Sequence, residues 1–171
     1  MSLIARLFRP RPDPREDLRP LWHSLVSRAR DPLWYREGGV ADSVEGRFDM
    51  VTAVLALVLL RLEQAPETAA QQALLTELFV EDMDGQLRQS GVGDLVVGKH
   101  IGRLMGVLGG RLGALRDAVP GGLDALTPVI ARNLTLVEGA DPAAAARLAG
   151  ALVATLDATP APALLAGEFA L

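Results

Sequence analysis

Residues 50–60 read MVTAVLALVLL, and Thr52 is the one polar side chain in the run. An apolar run of this kind makes a helix hydrophobic all round, and such a helix is stable only where every face is covered. The run spans about half of the roughly 20 apolar residues needed to cross a bilayer. It therefore predicts the buried central helix of a bundle rather than a membrane span. With its flanks the helix runs from about Ser43 to Glu63, capped by Asp42 or Ser43.

Outward from this helix the chain is punctuated for an all-α fold. Leu21, Leu25, Val26 and Ala29, with Trp22 beside them, form the inward side of a first helix over about 20–30. Asp31-Pro32 stops it, because a residue before proline is pushed out of the helical region. A short helical piece over 33–38 is broken by Gly38-Gly39, and Pro66 fits the first position of a helix that ends near Ser90. Asp94 caps a fifth helix over about 95–119. Thr127-Pro128 and Asp141-Pro142 open a sixth and a seventh, the sixth with Val129, Ile130, Leu134 and Val137 apolar. No strand-like alternation and no repeat is visible. The expected fold is a single all-α bundle of about six to seven helices. A flexible segment over 1–19 precedes a helical domain over 20–158, and a Pro- and Ala-rich tail over 159–171 lies on the surface.

Composition removes several function classes. Half of the 171 residues are hydrophobic but only 4% are aromatic, so Leu, Val and Ala must build the core. The absence of cysteine excludes disulfides, thiolate metal sites and cysteine nucleophiles. Two histidines, His23 and His100, leave almost no material for a His-based metal site, and no Glu-x-x-His exists for a di-iron bundle. The net charge of −4 argues against generic DNA affinity. Gly91-Val92-Gly93-Asp94 lacks the glycine–lysine–hydroxyl ending of a phosphate loop. The reading is a non-enzyme with no cofactor and no metal. The N-terminus lacks the apolar core of a secretory signal, so the chain is expected in the cytoplasm. A single lysine, Lys99, among many arginines suggests a GC-rich bacterial gene.

Two features point to binding. The first is the stretch from Phe79 to Lys99, FVEDMDGQLRQSGVGDLVVGK, where Asp82 follows Leu78 and Phe79 at the edge of an apolar stripe. A buried carboxylate needs a partner. Asp82 and Asp84 form either a structural network with Arg88 and the donors of the turn, or a polar mark on an interaction surface. The second is a row of glycines in the fifth helix, Gly98, Gly102, Gly106, Gly110 and Gly113, with Lys99 and Arg103 on its far edge. Each interior glycine costs about 1 kcal/mol against alanine, and close approach of a second helix would offset that. That helix belongs either to the same bundle or to another chain docking in a groove.

The pieces Asp82-Met83-Asp84, Leu87-Arg88, Gly91-Val92-Gly93-Asp94 and Val97-Gly98-Lys99 stand in the order of a known signature. Ala29-Arg30, Tyr35-Arg36, Val40-Ala41-Asp42 and Gly46-Arg47-Phe48-Asp49-Met50 precede them, and Gly110-Arg111-Leu112 and Ala131-Arg132-Asn133-Leu134 follow. Over roughly residues 20–137 the chain resembles the ubiquinol–cytochrome c reductase chaperone family, the assembly factors for cytochrome b. The resemblance implies a chaperone that binds newly made cytochrome b during assembly of the cytochrome bc1 complex, at the inner face of the membrane. It also implies contact with the ribosome or a small partner subunit, as in mitochondrial relatives. Leu3, Ile4, Leu7 and Phe8, interspersed with Arg6 and Arg9, fit weak contact with anionic lipid. The alternatives are a general helical interaction module with an unrelated client, and a small enzyme using the acidic cluster.

Overall fold

Prolines and short polar caps set most of the helix starts. The computed structural model describes residues 13–89 and 94–169, with the side chains of 87–89, 94–97, 99 and 100 excepted. A 3-10 turn over Glu16–Leu18 leads into α1 (Arg19–Ala29), which carries Pro20 in its first turn. Asp31 accepts a hydrogen bond from the Leu33 N–H at 3.0 Å and opens α2 (Pro32–Arg36). The Ser43 hydroxyl accepts from the Gly46 N–H at 3.1 Å and opens α3 (Val44–Glu63). Pro66 begins a 3-10 turn over Pro66–Thr68, and α4 (Ala69–Gln89) continues from it. Next come α5 (Asp94–Ala118), α6 (Gly122–Asn133), α7 (Pro142–Ala158) and α8 (Ala161–Leu165). Asp141 caps α7 by accepting from the Ala143 N–H at 2.9 Å.

The fold is all-α, with six long helices and two of five residues, and no strand among the described residues. An isolated bridge joins Val40 to Leu136. As expected from the opening run, α3 is the centre: every residue from Asp49 to Leu59 is buried. Around it pack α1, α4, α5 and α7, while α6 and α7 form a closely packed pair. Removing Leu and Val side chains of this kind from water contributes about 1.5–3 kcal/mol each, so α3 is the main source of cohesion. Its far end is fixed by Arg61, which donates to the carbonyls of Leu156 at 3.0 Å and Thr159 at 2.8 Å. Those groups sit at the end of α7, where a helix has no acceptors' partners of its own.

Three expectations change. Helix α6 begins at Gly122 rather than at Thr127-Pro128, so Pro128 lies inside it. A proline there removes a single bond to the carbonyl of Asp124, and both residues are exposed, so water can take its place. Val137 lies beyond α6 and is exposed, its N–H held by the Gly39 carbonyl at 2.9 Å. The C-terminal segment expected on the surface buries Leu164 and Phe169. The Ser24 hydroxyl donates to the Gly167 carbonyl at 2.8 Å, and Gly167 turns the chain there with φ near +79°, a conformation open to glycine. Residues 1–12, with Leu3, Ile4, Arg6, Leu7, Phe8 and Arg9, lie outside the described residues.

Candidate interaction surface

One face of α3 is tied to α5 by a buried ion pair. Arg111 Nη2 donates to Asp49 Oδ1, and Arg111 Nη1 donates to the Asp49 carbonyl at 3.1 Å and to the Thr52 hydroxyl. The other carboxylate oxygen of Asp49 accepts from the Thr135 N–H at 2.8 Å and from its hydroxyl at 2.7 Å. Asp49 and Arg111 are each only 8% exposed, and Thr52 is fully buried. The Arg111 guanidinium also lies over the Phe48 ring, 5.9 Å from its centroid.

Thr135 belongs to a short paired segment. The Ala41 N–H donates to the Thr135 carbonyl at 2.8 Å, beside the Val40–Leu136 bridge. The first turn of α3 presses on this pairing so closely that a Cβ at Gly46 would lie 2.0 Å from the Ala41 carbonyl oxygen. Three separated motif blocks, 40–42, 46–50 and 110–112, thus meet in one knot with the loop that follows 131–134. Sequence reasoning missed the Asp49–Arg111–Thr135 cluster. The signal available was a lone Asp at the mouth of an otherwise apolar run, which needed a cation.

The predicted site residues fall elsewhere. Asp82 is half-buried and faces a cleft of about 870 Å³ between α1 and α4, whose walls include Trp22, His23, Val26, Leu78 and Gln86. Its carboxylate accepts from Gln86 at 3.2 Å on the exposed surface; the Arg88 side chain and the turn over 90–93, which the expected network of Asp82 and Asp84 needs, lie outside the described residues. Asp84 is half-buried and lines a second cavity of about 460 Å³ between α4 and α5, together with Glu77, Val80, Glu81, Ile101 and Met105. Arg15 stands at its rim, 3.4 Å from Glu81 but bound at 2.6 Å to Asp13. That guanidinium holds the Asp13 carboxyl down at about 2. Gly91 and Gly93 lie outside the described residues, as do the side chains of Arg88, Asp94 and Lys99, whose backbone is helical.

The glycine row is the main correction. The bundle-internal reading requires a neighbour, yet among the described residues a Cβ added at Gly98, Gly102, Gly106, Gly109, Gly110 or Gly113 would meet nothing within 4 Å. The reason is the orientation of α5, which meets the bundle through Leu108, Arg111, Leu115 and Ala118 and turns its glycines outward. Gly98, Gly102, Arg103, Met105 and Gly106 are all exposed. Among the described side chains of α5 full burial begins at Leu108; Leu104 packs half-buried against the core, and the glycine face beside it is open. Among the described residues no group of three or more His, Cys, Asp or Glu is placed to hold a metal ion.

A family model described as "Ubiquinol-cytochrome C chaperone" matches residues 36–171. The crystal structure of the Cbp3 homolog from Brucella abortus is similar at a TM-score of 0.76 and 27% sequence identity, over 97% of this chain and 94% of that one. No curated protein matches the chain. The matched range holds the whole Asp49–Arg111–Thr135 knot and the open half of α5, and the chain belongs to the ubiquinol–cytochrome c chaperone family.

Proposed function

We propose that this protein is a non-enzymatic assembly chaperone that binds newly made cytochrome b during biogenesis of the cytochrome bc1 complex. One observation carries the reading: the chain shares its fold, nearly end to end, with the Cbp3 homolog, within a family of ubiquinol–cytochrome c chaperones. The architecture suits the task. A packed block of α3, α6, α7 and the C-terminal half of α5 backs an open face on α4 and the glycine-rich part of α5, where client segments have room to lie. Among the described residues no helix is long and apolar enough to cross a membrane. The protein meets its client from the cytoplasm, at the inner face of the membrane, with the ribosome or a small partner subunit as further contacts.

Deleting the gene tests this. Assembled bc1 complex and haem-loaded cytochrome b should fall while the cytochrome b transcript stays constant. Normal cytochrome b in a strain lacking this gene and any paralogue would overturn the reading.

A further inference from the structure

The open half of α5 has a chemistry of its own. Gly98, Gly102, Met105 and Gly109 recur at spacings of four, three and four, which places them on one helical face. Met105 is the one long side chain on that face, and it is 40% exposed. Beside it the 460 Å³ cavity is floored by Val80 and Ile101. Along its α4 edge stand Glu77 and Glu81, one turn apart and both exposed. Glu77 has no ion pair among the described residues, while Glu81 lies 3.4 Å from Arg15 and 3.9 Å from Arg19; around the cavity Glu77, Glu81 and Asp84 outnumber Arg15. The groove thus combines an apolar floor, an adaptable thioether, a low glycine wall and an acidic rim.

We propose that this α4–α5 groove docks a client segment that is apolar along one side and carries Lys or Arg beside it. The acidic rim selects the sign of the partner, and the floor selects its amphipathic form. Segments of this type are what a membrane-subunit client offers, because the cytoplasmic flanks of membrane helices are rich in Lys and Arg. The glycines let a partner helix approach the α5 backbone more closely than side chains would allow, as in small-residue helix contacts elsewhere. The proposal rests on the assembly-chaperone reading for the identity of the client, while the groove's chemistry stands without it.

The test uses the full chain and fluorescent overlapping peptides covering cytochrome b, read by anisotropy. The variants are Met105→Asp and Glu77→Lys, with His23→Ala as a control in the α1–α4 cleft. Met105, Glu77 and His23 are all exposed, so melting curves should be unchanged. Peptides that join an apolar run to a basic flank should bind, more weakly as salt rises, and each groove variant should lower affinity tenfold or more while the control does not. Unchanged affinity in both groove variants, or loss confined to the control, would overturn the site.

Two further outcomes separate the site from the function. If cytochrome b co-purifies equally with wild type and both variants, the groove is wrong and the chaperone reading stands. If no cytochrome b peptide binds but an unrelated apolar–lysine peptide does, and the variants abolish it, the groove stands and the client reading fails. A photo-crosslinker placed at position 105 gives a last check. Crosslinks only to residues 1–12 of the same chain, or only to a second copy, would assign the groove to those occupants instead.

Discussion

Replacing glycine by alanine should act with opposite sign at two places in this protein. In the double variant Gly102→Ala, Gly106→Ala, each methyl enters open space, since none of the described residues lies within 4 Å of either added Cβ. No overpacking opposes the gain in helix propensity, about 1 kcal/mol per site and about 2 kcal/mol for the pair. For a chain of 171 residues, that corresponds to a rise in Tm of about 4–8 °C. At Gly46 the same methyl would lie 2.0 Å from the Ala41 carbonyl oxygen, which is backbone and cannot swing aside. Gly46→Ala should therefore destabilise, by about 1–3 kcal/mol or more. Urea unfolding followed by circular dichroism, with slopes compared to confirm an unchanged unfolding reaction, measures both. A destabilised Gly102→Ala, Gly106→Ala protein that is monomeric by sedimentation would mean that the glycine face is packed inside the fold, and the account of α5 given above would fail.

Asp49→Ala should cost about 3–5 kcal/mol, because it leaves the Arg111 charge buried and unpaired and strips the Thr135 donors of their acceptor; urea titration reads it, and a loss below about 1 kcal/mol would mean the knot is wet. Asp82→Ala removes a half-buried carboxylate whose bond from Gln86 lies at the exposed surface, so it should cost no more than about 1 kcal/mol, and a fall several times larger in the same titration would point to a buried partner in the expected Arg88 network. The Asp13 carboxyl should titrate near 2 in carbon-detected NMR and return toward its ordinary value of 3.8 in Arg15→Gln. Its folded-state pKa is depressed, so the Asp13–Arg15 contact favours the fold above about 4 and its contribution is lost as pH falls toward about 2. A normal Asp13 pKa in the wild-type protein would show that the contact is absent in solution.

The core was legible because it is written locally. The run from Met50 to Leu60, the cap at Ser43 and the Asp-Pro pairs at 31–32 and 141–142 each act within one turn of helix, and the structure uses all of them. Pro128 misled because proline marks the first turn of many helices, and only the exposure of its lost partner carbonyl shows that the interior position is tolerated. The knot was illegible for a different reason. Asp49 meets Arg111 and Thr135 across 62 and 86 residues of sequence, and no local pattern encodes such a pairing. The glycine row gave a correct signal, an unexplained cost, but cost has no direction. Whether the offset lies inside or outside the chain depends on how Leu108, Arg111 and Leu115 rotate α5 against α3.

The shared carboxylate of Asp49 also bears on how such a sequence can drift. A single change at Asp49 or Arg111 strands a buried ion, and a bulkier residue at Gly46 drives the start of α3 into Ala41, whose N–H holds the Thr135 carbonyl. Replacing the whole cluster with well-packed apolar residues need not cost stability, yet each first step toward that state passes through a weakened protein. The blocks are therefore mutually hostage: a descendant keeps all of them or must replace several at once. That coupling makes scattered short motifs, individually too common to mean anything, readable together as a lineage.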